Sequence, residues 1–98
     1  MIEHLVLFQW KADASAEAIT RVMDELRALQ SQIPGIRDMT SGTNFSARSQ
    51  GYTHALVLRF EDRAALEAYG PHPAHQRVVQ EFIGPIRVET LVVDYEVE

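Results

Sequence analysis

Hydrophobic positions along this chain change period several times, and each change predicts an element. From Ile2 to Lys11 they alternate, with His4, Val6, Phe8 and Trp10 on one side and Leu5 and Leu7 on the other, which predicts a strand apolar on both faces. The period then lengthens. After Ser15, a residue suited to a helix N-cap, Ile19, Val22, Met23, Leu26, Leu29 and Ile33 recur every three or four positions opposite Thr20, Asp24, Arg27 and Gln30. That spacing predicts an amphipathic helix ending at Pro34-Gly35. Ile36 to Phe45 is polar and fits a weak edge strand, and residues 47–51 read as a loop. Tyr52 to Phe60 is a stronger strand, with His54, Leu56 and Leu58 on one face and Thr53, Ala55, Val57 and Arg59 on the other. Asp62 caps a short helix with Ala65, Leu66 and Tyr69 inward, stopped by Gly70-Pro71. Pro73 opens another with Val78, Val79, Phe82 and Ile83 inward, stopped by Gly84-Pro85. Ile86 to Val97 closes the chain as a strand, with Val88, Thr90, Val92 and Asp94 alternating against Leu91, Val93 and Tyr95, and Glu96 and Glu98 read as a solvated tail.

Strand, helix, strand, strand, helix pair, strand is the split βαβ plan of ferredoxin-like domains, an α+β architecture with a four-stranded antiparallel sheet and helices on one face. One uncovered face then carries Leu5, Leu7, Ala55, Val57, Leu91, Val93 and Tyr95, a larger apolar patch than a soluble monomer usually leaves in water. A second copy is the simplest cover. Two such sheets packed face to face predict a homodimer of the dimeric α+β barrel type, helices outside.

Ninety-eight residues, 46% of them hydrophobic, suit one domain spanning 1–98. The net charge of -5 and the absence of any basic run argue against nucleic acid or an anionic membrane as partner. No cysteine is present, which excludes disulfides, thiolate catalysis and cysteine-based metal sites. No apolar run reaches the ~18 residues of a membrane span and no signal-peptide pattern opens the chain, so a cytoplasmic location is expected.

Chemistry concentrates in Tyr69-Gly70-Pro71-His72-Pro73-Ala74-His75. On one continuous helix Tyr69 and His75 would stand about 120° apart, and the Gly-Pro break removes that obstacle. His75 precedes Val79 by four residues and Phe82 by seven, so it belongs to the apolar stripe of its helix and points inward. Its place in the first turn favours the neutral imidazole, the form able to accept a proton. His4 and His54, by strand parity, face the same side, so all four histidines are expected to meet, and Asp94 can orient one of them. Each of His4 and His54 taken alone reads better as a packed core residue. His72 reads as a helix-entry residue. His72 and His75 have the spacing of a metal pair, but without cysteine or a neighbouring carboxylate no metal is expected.

These residues together resemble the stress-responsive α/β-barrel (Dabb) family over nearly the whole chain. The resemblance is carried by His4-Leu-Val-Leu-Phe, Ile33-Pro-Gly-Ile, Gly51-Tyr-Thr-His54, Tyr69 with His72-Pro-Ala-His75, and Val93-Asp-Tyr95. It implies a ferredoxin-like dimeric α+β barrel. It also implies, by analogy with a plant polyketide cyclase of that family, His75 as general base, Tyr69 as its partner and His4 and His54 in the pocket. Val6, Phe8, Leu56, Leu58, Val79 and Asp94 are the further substrate-binding candidates. The first-helix positions Ile19, Val22, Met23 and Leu26 include no aromatic, a departure from the family pattern that leaves pocket length open. The leading expectation is a cofactor-independent acid–base enzyme of lyase or cyclase type acting on a small hydrophobic, phenolic or polyketide-like ligand. The alternatives are a noncatalytic dimeric ligand-binding or stress-related protein, and a monooxygenase by fold analogy.

Overall fold

The computed structural model describes residues 1–97; Glu98 lies outside them. Four strands, β1 (Ile2–Trp10), β2 (Ile36–Thr43), β3 (His54–Phe60) and β4 (Arg87–Glu96), form an antiparallel sheet in the order β2-β3-β1-β4. Helices α1 (Ala16–Ala28), α2 (Arg63–Tyr69) and α3 (Pro73–Val78) lie on one face. The alternating runs form the strands because period-two burial needs a pleated surface to pack on. The two more apolar runs, β1 and β3, pair at the sheet centre, and polar β2 takes an edge, as its composition predicts.

Ser15 Oγ accepts the Ala18 N–H at 3.1 Å and Asp62 accepts that of Ala65 at 2.9 Å, so both expected N-caps form. α1 is shorter than its apolar period implies: after Ala28 it tightens into a 3₁₀ turn over Leu29–Ser31, and Ile33 is buried from the turn beyond. Gly35, at φ 95°, then reverses the chain; a Cβ there would stand 2.8 Å from that of Ala65, so the turn packs directly on α2.

α3 does not end at Val78 but widens into a π-helical turn over Val79–Ile83, in which the Gly84 N–H reaches the Val79 carbonyl at 2.8 Å. Phe82, expected inward, is only half-buried and is covered by the Arg21 and Arg77 guanidinium groups, 4.9 and 5.2 Å from its centroid.

The core lies between sheet and helices, where Leu26, Leu29, Leu56, Leu58, Phe60, Val22 and Val78 are sealed from solvent. β4 is the second edge strand. Leu91, Val93 and Tyr95 are exposed on its outer face, as expected, but Val88 and Val92, from the expected inner set, are exposed as well. A bulge opposite Gln9 and Trp10 inserts a residue, pairing Trp10 with Arg87 and Gln9 with Glu89; this puts Arg87, not Val88, in register with the inner-face Trp10. Glu96, within the expected strand, is its last residue and sits 3.7 Å from the amino terminus and 3.9 Å from Arg63. On the uncovered face Glu3 is buried and accepts from Arg59 Nε at 2.8 Å.

Candidate active site

A cavity of about 470 Å³ opens between the inner sheet face and the helices. Val6, Phe8, Leu56, Val79, Ile83 and Val92 make its apolar walls, and His4, Tyr69, His75, Thr90 and Arg87 supply its polar groups. The mixture is that of a ligand site, apolar with few fixed polar groups. Tyr69 arrives from the last turn of α2 and His75 from the first turn of α3. Pro71, with no N–H to continue the helix, lets the chain turn between them, and the rings meet at 4.3 Å with a 40° tilt. His4 closes the same corner from β1, 5.9 Å from the Tyr69 ring and 6.0 Å from Phe60, both edge-on.

Hydrogen bonds assign the protons. His75 Nδ1 lies 2.8 Å from the Gly70 carbonyl, which only accepts, so Nδ1 carries hydrogen and the neutral ring keeps its lone pair on Nε2. Burial lowers the His75 pKa from 6.5, opposed by that hydrogen bond and assisted by the charges of His4 and His72. The ring is therefore a neutral base at pH 7. Burial pushes the Tyr69 phenol well above its ordinary range, which keeps it a donor. Among the described residues its hydroxyl has no hydrogen-bond partner, although its ring is buried. His4 Nδ1 is hydrogen-bonded to Asp94, its cross-strand neighbour, which fixes that ring's orientation.

Not every expected residue joins this group. His54 lies at the far end of the sheet, beside a separate hollow of about 190 Å³ with Ile19, Met23 and Arg27. Its Nδ1 accepts from Trp10 Nε1 at 3.0 Å and lies 2.9 Å from the Thr53 hydroxyl, a bonding pattern that requires the neutral ring. The four histidines thus do not converge: β3 runs antiparallel to β1, and His54 pairs with Phe8 while His4 pairs with Leu58. His72 caps α3, its Nδ1 accepting the Ala74 N–H at 3.0 Å. Leu58 is sealed in the core and does not reach the cavity, and Asp94 stands behind His4 at a smaller hollow. Among the described residues no group of three or more His, Cys, Asp and Glu side chains is arranged to hold a metal ion, and no helix is long and apolar enough to cross a membrane.

The family model for the stress responsive A/B barrel domain matches residues 2–97. The chain belongs to that family. It is 36% identical over 95 residues to a stress-response A/B barrel domain-containing protein of Arabidopsis thaliana; the match covers 97% of this chain but only 36% of the plant protein, so the chain spans about a third of that relative. A dimeric ferredoxin-like protein of unknown function from Jannaschia sp. superposes with a TM-score of 0.82 at 33% identity, over 98% of each chain. A hydroxynitrile lyase from Passiflora edulis gives a TM-score of 0.89 over 99% of this chain and 93% of its own, at 23% identity, a likeness of fold.

In this A/B barrel chain, strand parity alone misses Arg87, because the bulge that brings it to the cavity shifts parity by one and leaves no mark in the sequence. Thr90 and Val92 share a face with Asp94 and were legible as inner positions. The histidine pKa shifts carry a prediction. Burial lowers both His54 and His75 from 6.5, so on acidification the unfolded chain takes up these protons first. Their contribution to stability is complete above about pH 6.5 and is lost as pH falls through the lower folded-state values. Urea midpoints measured between pH 8 and 5 should fall below pH 6.5, and His54→Gln should flatten part of that fall; a midpoint that rises on acidification contradicts the assignment.

Proposed function

We infer that this protein is an acid–base enzyme of the polyketide-cyclase type, with His75 as general base and Tyr69 as hydrogen-bond donor to the substrate oxygen. The observation that carries this reading is the Gly70 carbonyl holding His75 Nδ1–H, which leaves Nε2 as the basic atom beside an unpartnered phenol in an apolar cavity. Nε2 takes a proton from the carbon next to a substrate carbonyl. The C–H electron pair forms an enolate, whose oxygen accepts the Tyr69 hydrogen bond. The enolate carbon attacks a second carbonyl of the same chain, a C–C bond closes the ring, and the imidazolium returns its proton to the new alkoxide. His4, fixed by Asp94, is the further polar group of that corner, and Val6, Phe8, Leu56 and Val79 hold the apolar part of the substrate. That a lyase occupies the same fold in Passiflora edulis is consistent with such chemistry.

The test is hydrogen exchange in deuterated water, followed by NMR, at the carbon next to the carbonyl of a bound polyketide-like ketone. Exchange accelerated by the protein supports the reading. Tight binding with exchange at the solvent rate overturns it in favour of a binding protein.

The working unit is proposed to be a homodimer. Relatives of this fold are described as dimeric, and here Leu91, Val93 and Tyr95 stand 44–50% exposed on the uncovered face. Sedimentation equilibrium at micromolar concentration should give twice the chain mass, and Leu91→Glu with Val93→Glu should give the monomer. A wild-type monomer excludes the dimer.

A further inference from the structure

We propose that Arg87 and Thr90 form an anion seat at the end of the cavity away from His4 and His75, and that the ligand is therefore a carboxylate with an apolar middle and a carbonyl at its other end. The carbonyl end rests on the acid–base reading; the anion seat does not. Arg21, Arg27, Arg37, Arg59, Arg63 and Arg77 each have an acidic partner. Among the described residues Arg87 has none, and neither have Lys11 and Arg48, but of these three Arg87 is the one that lines the cavity. Arg87 instead lines the exposed rim of the cavity, its Nη1 donating to the Thr90 hydroxyl at 3.3 Å. A guanidinium at the rim of an apolar cavity and without a carboxylate has donors to spare, and a planar carboxylate is the group they fit.

The sheet supplies a ruler. Thr90 pairs with Phe8 and Asp94 with His4, so the two polar ends are four residues apart along the strands, about 13 Å. Between them lie Val6, Leu56 and Val92, with Phe8 beside Thr90, which give a chain or ring an apolar bed and leave its two ends to the polar groups.

Titration calorimetry of the whole protein with decanoate and with decanol tests the seat without any need for turnover. Decanoate should bind about tenfold more tightly, since a charge-assisted pair is worth more than a neutral one. Arg87→Gln should erase that preference and leave decanol binding unchanged, and added salt should weaken decanoate alone. His75→Gln should leave the preference intact. Equal affinities in the wild type, no decanoate binding, or equal weakening of both probes by Arg87→Gln overturns the seat. Failure of hydrogen exchange with the preference retained would remove the acid–base reading and keep the seat.

Discussion

His75→Gln should lower cyclisation of a polyketide-like ketone by about 10² to 10⁴ while its dissociation constant changes little. Glutamine can still donate to the Gly70 carbonyl and fill most of the imidazole's space, but its amide nitrogen has no lone pair able to take a proton. The loss belongs in kcat, because the missing group acts only when the proton moves. In the wild type, kcat/KM should fall on acidification with a midpoint below 6.5, because the base must be neutral and burial holds its pKa down. His75→Ala should recover part of its activity when imidazole is added, since the truncated side chain opens on the cavity. Turnover of His75→Gln equal to the wild type would take this residue out of the mechanism, whatever its position.

Phe60→Ala should cost about 3–5 kcal/mol of stability, read as a fall in the urea midpoint at unchanged slope. Phe60 is fully buried and pairs with Ile2 on one side and Ile36 on the other. Its ring is also the wall against which His4 and Tyr69 are set, at 6.0 and 5.2 Å. A loss of that size is a large fraction of the ~5–15 kcal/mol by which a domain is normally stable. Phe45→Ala is the matched control: Phe45 is wholly exposed, and its removal should shift stability by no more than about 0.5 kcal/mol. Equal effects at the two positions would contradict the placement of the core.

The pairing of Tyr69 with His75 was legible because both its causes are local. A Gly-Pro break ends one helix, a proline at the first turn begins the next, and the two residues sit on the apolar stripes of their own segments. The neutral, Nδ1-protonated state of His75 was only half legible. The helix start argues for neutrality, but the tautomer depends on the Gly70 carbonyl, which the reversal of the chain aims at the ring. His54 shows the opposite case: parity put it on the correct face, but parity does not say how far along the sheet a residue lies.

The order of strands and helices, their caps, the inner faces of β1 and β3 and the corner where Tyr69 meets His75 were all legible in the sequence. These follow from the repeat of apolar positions and from residues that start or stop an element, which act within a few positions of themselves. That β4 is an edge strand, that His4 joins the corner while His54 does not, and that Arg87 reaches the cavity became visible in the folded sheet alone. Strand order, antiparallel register and a one-residue bulge set those outcomes, and each is a property of which segments pair across the sheet.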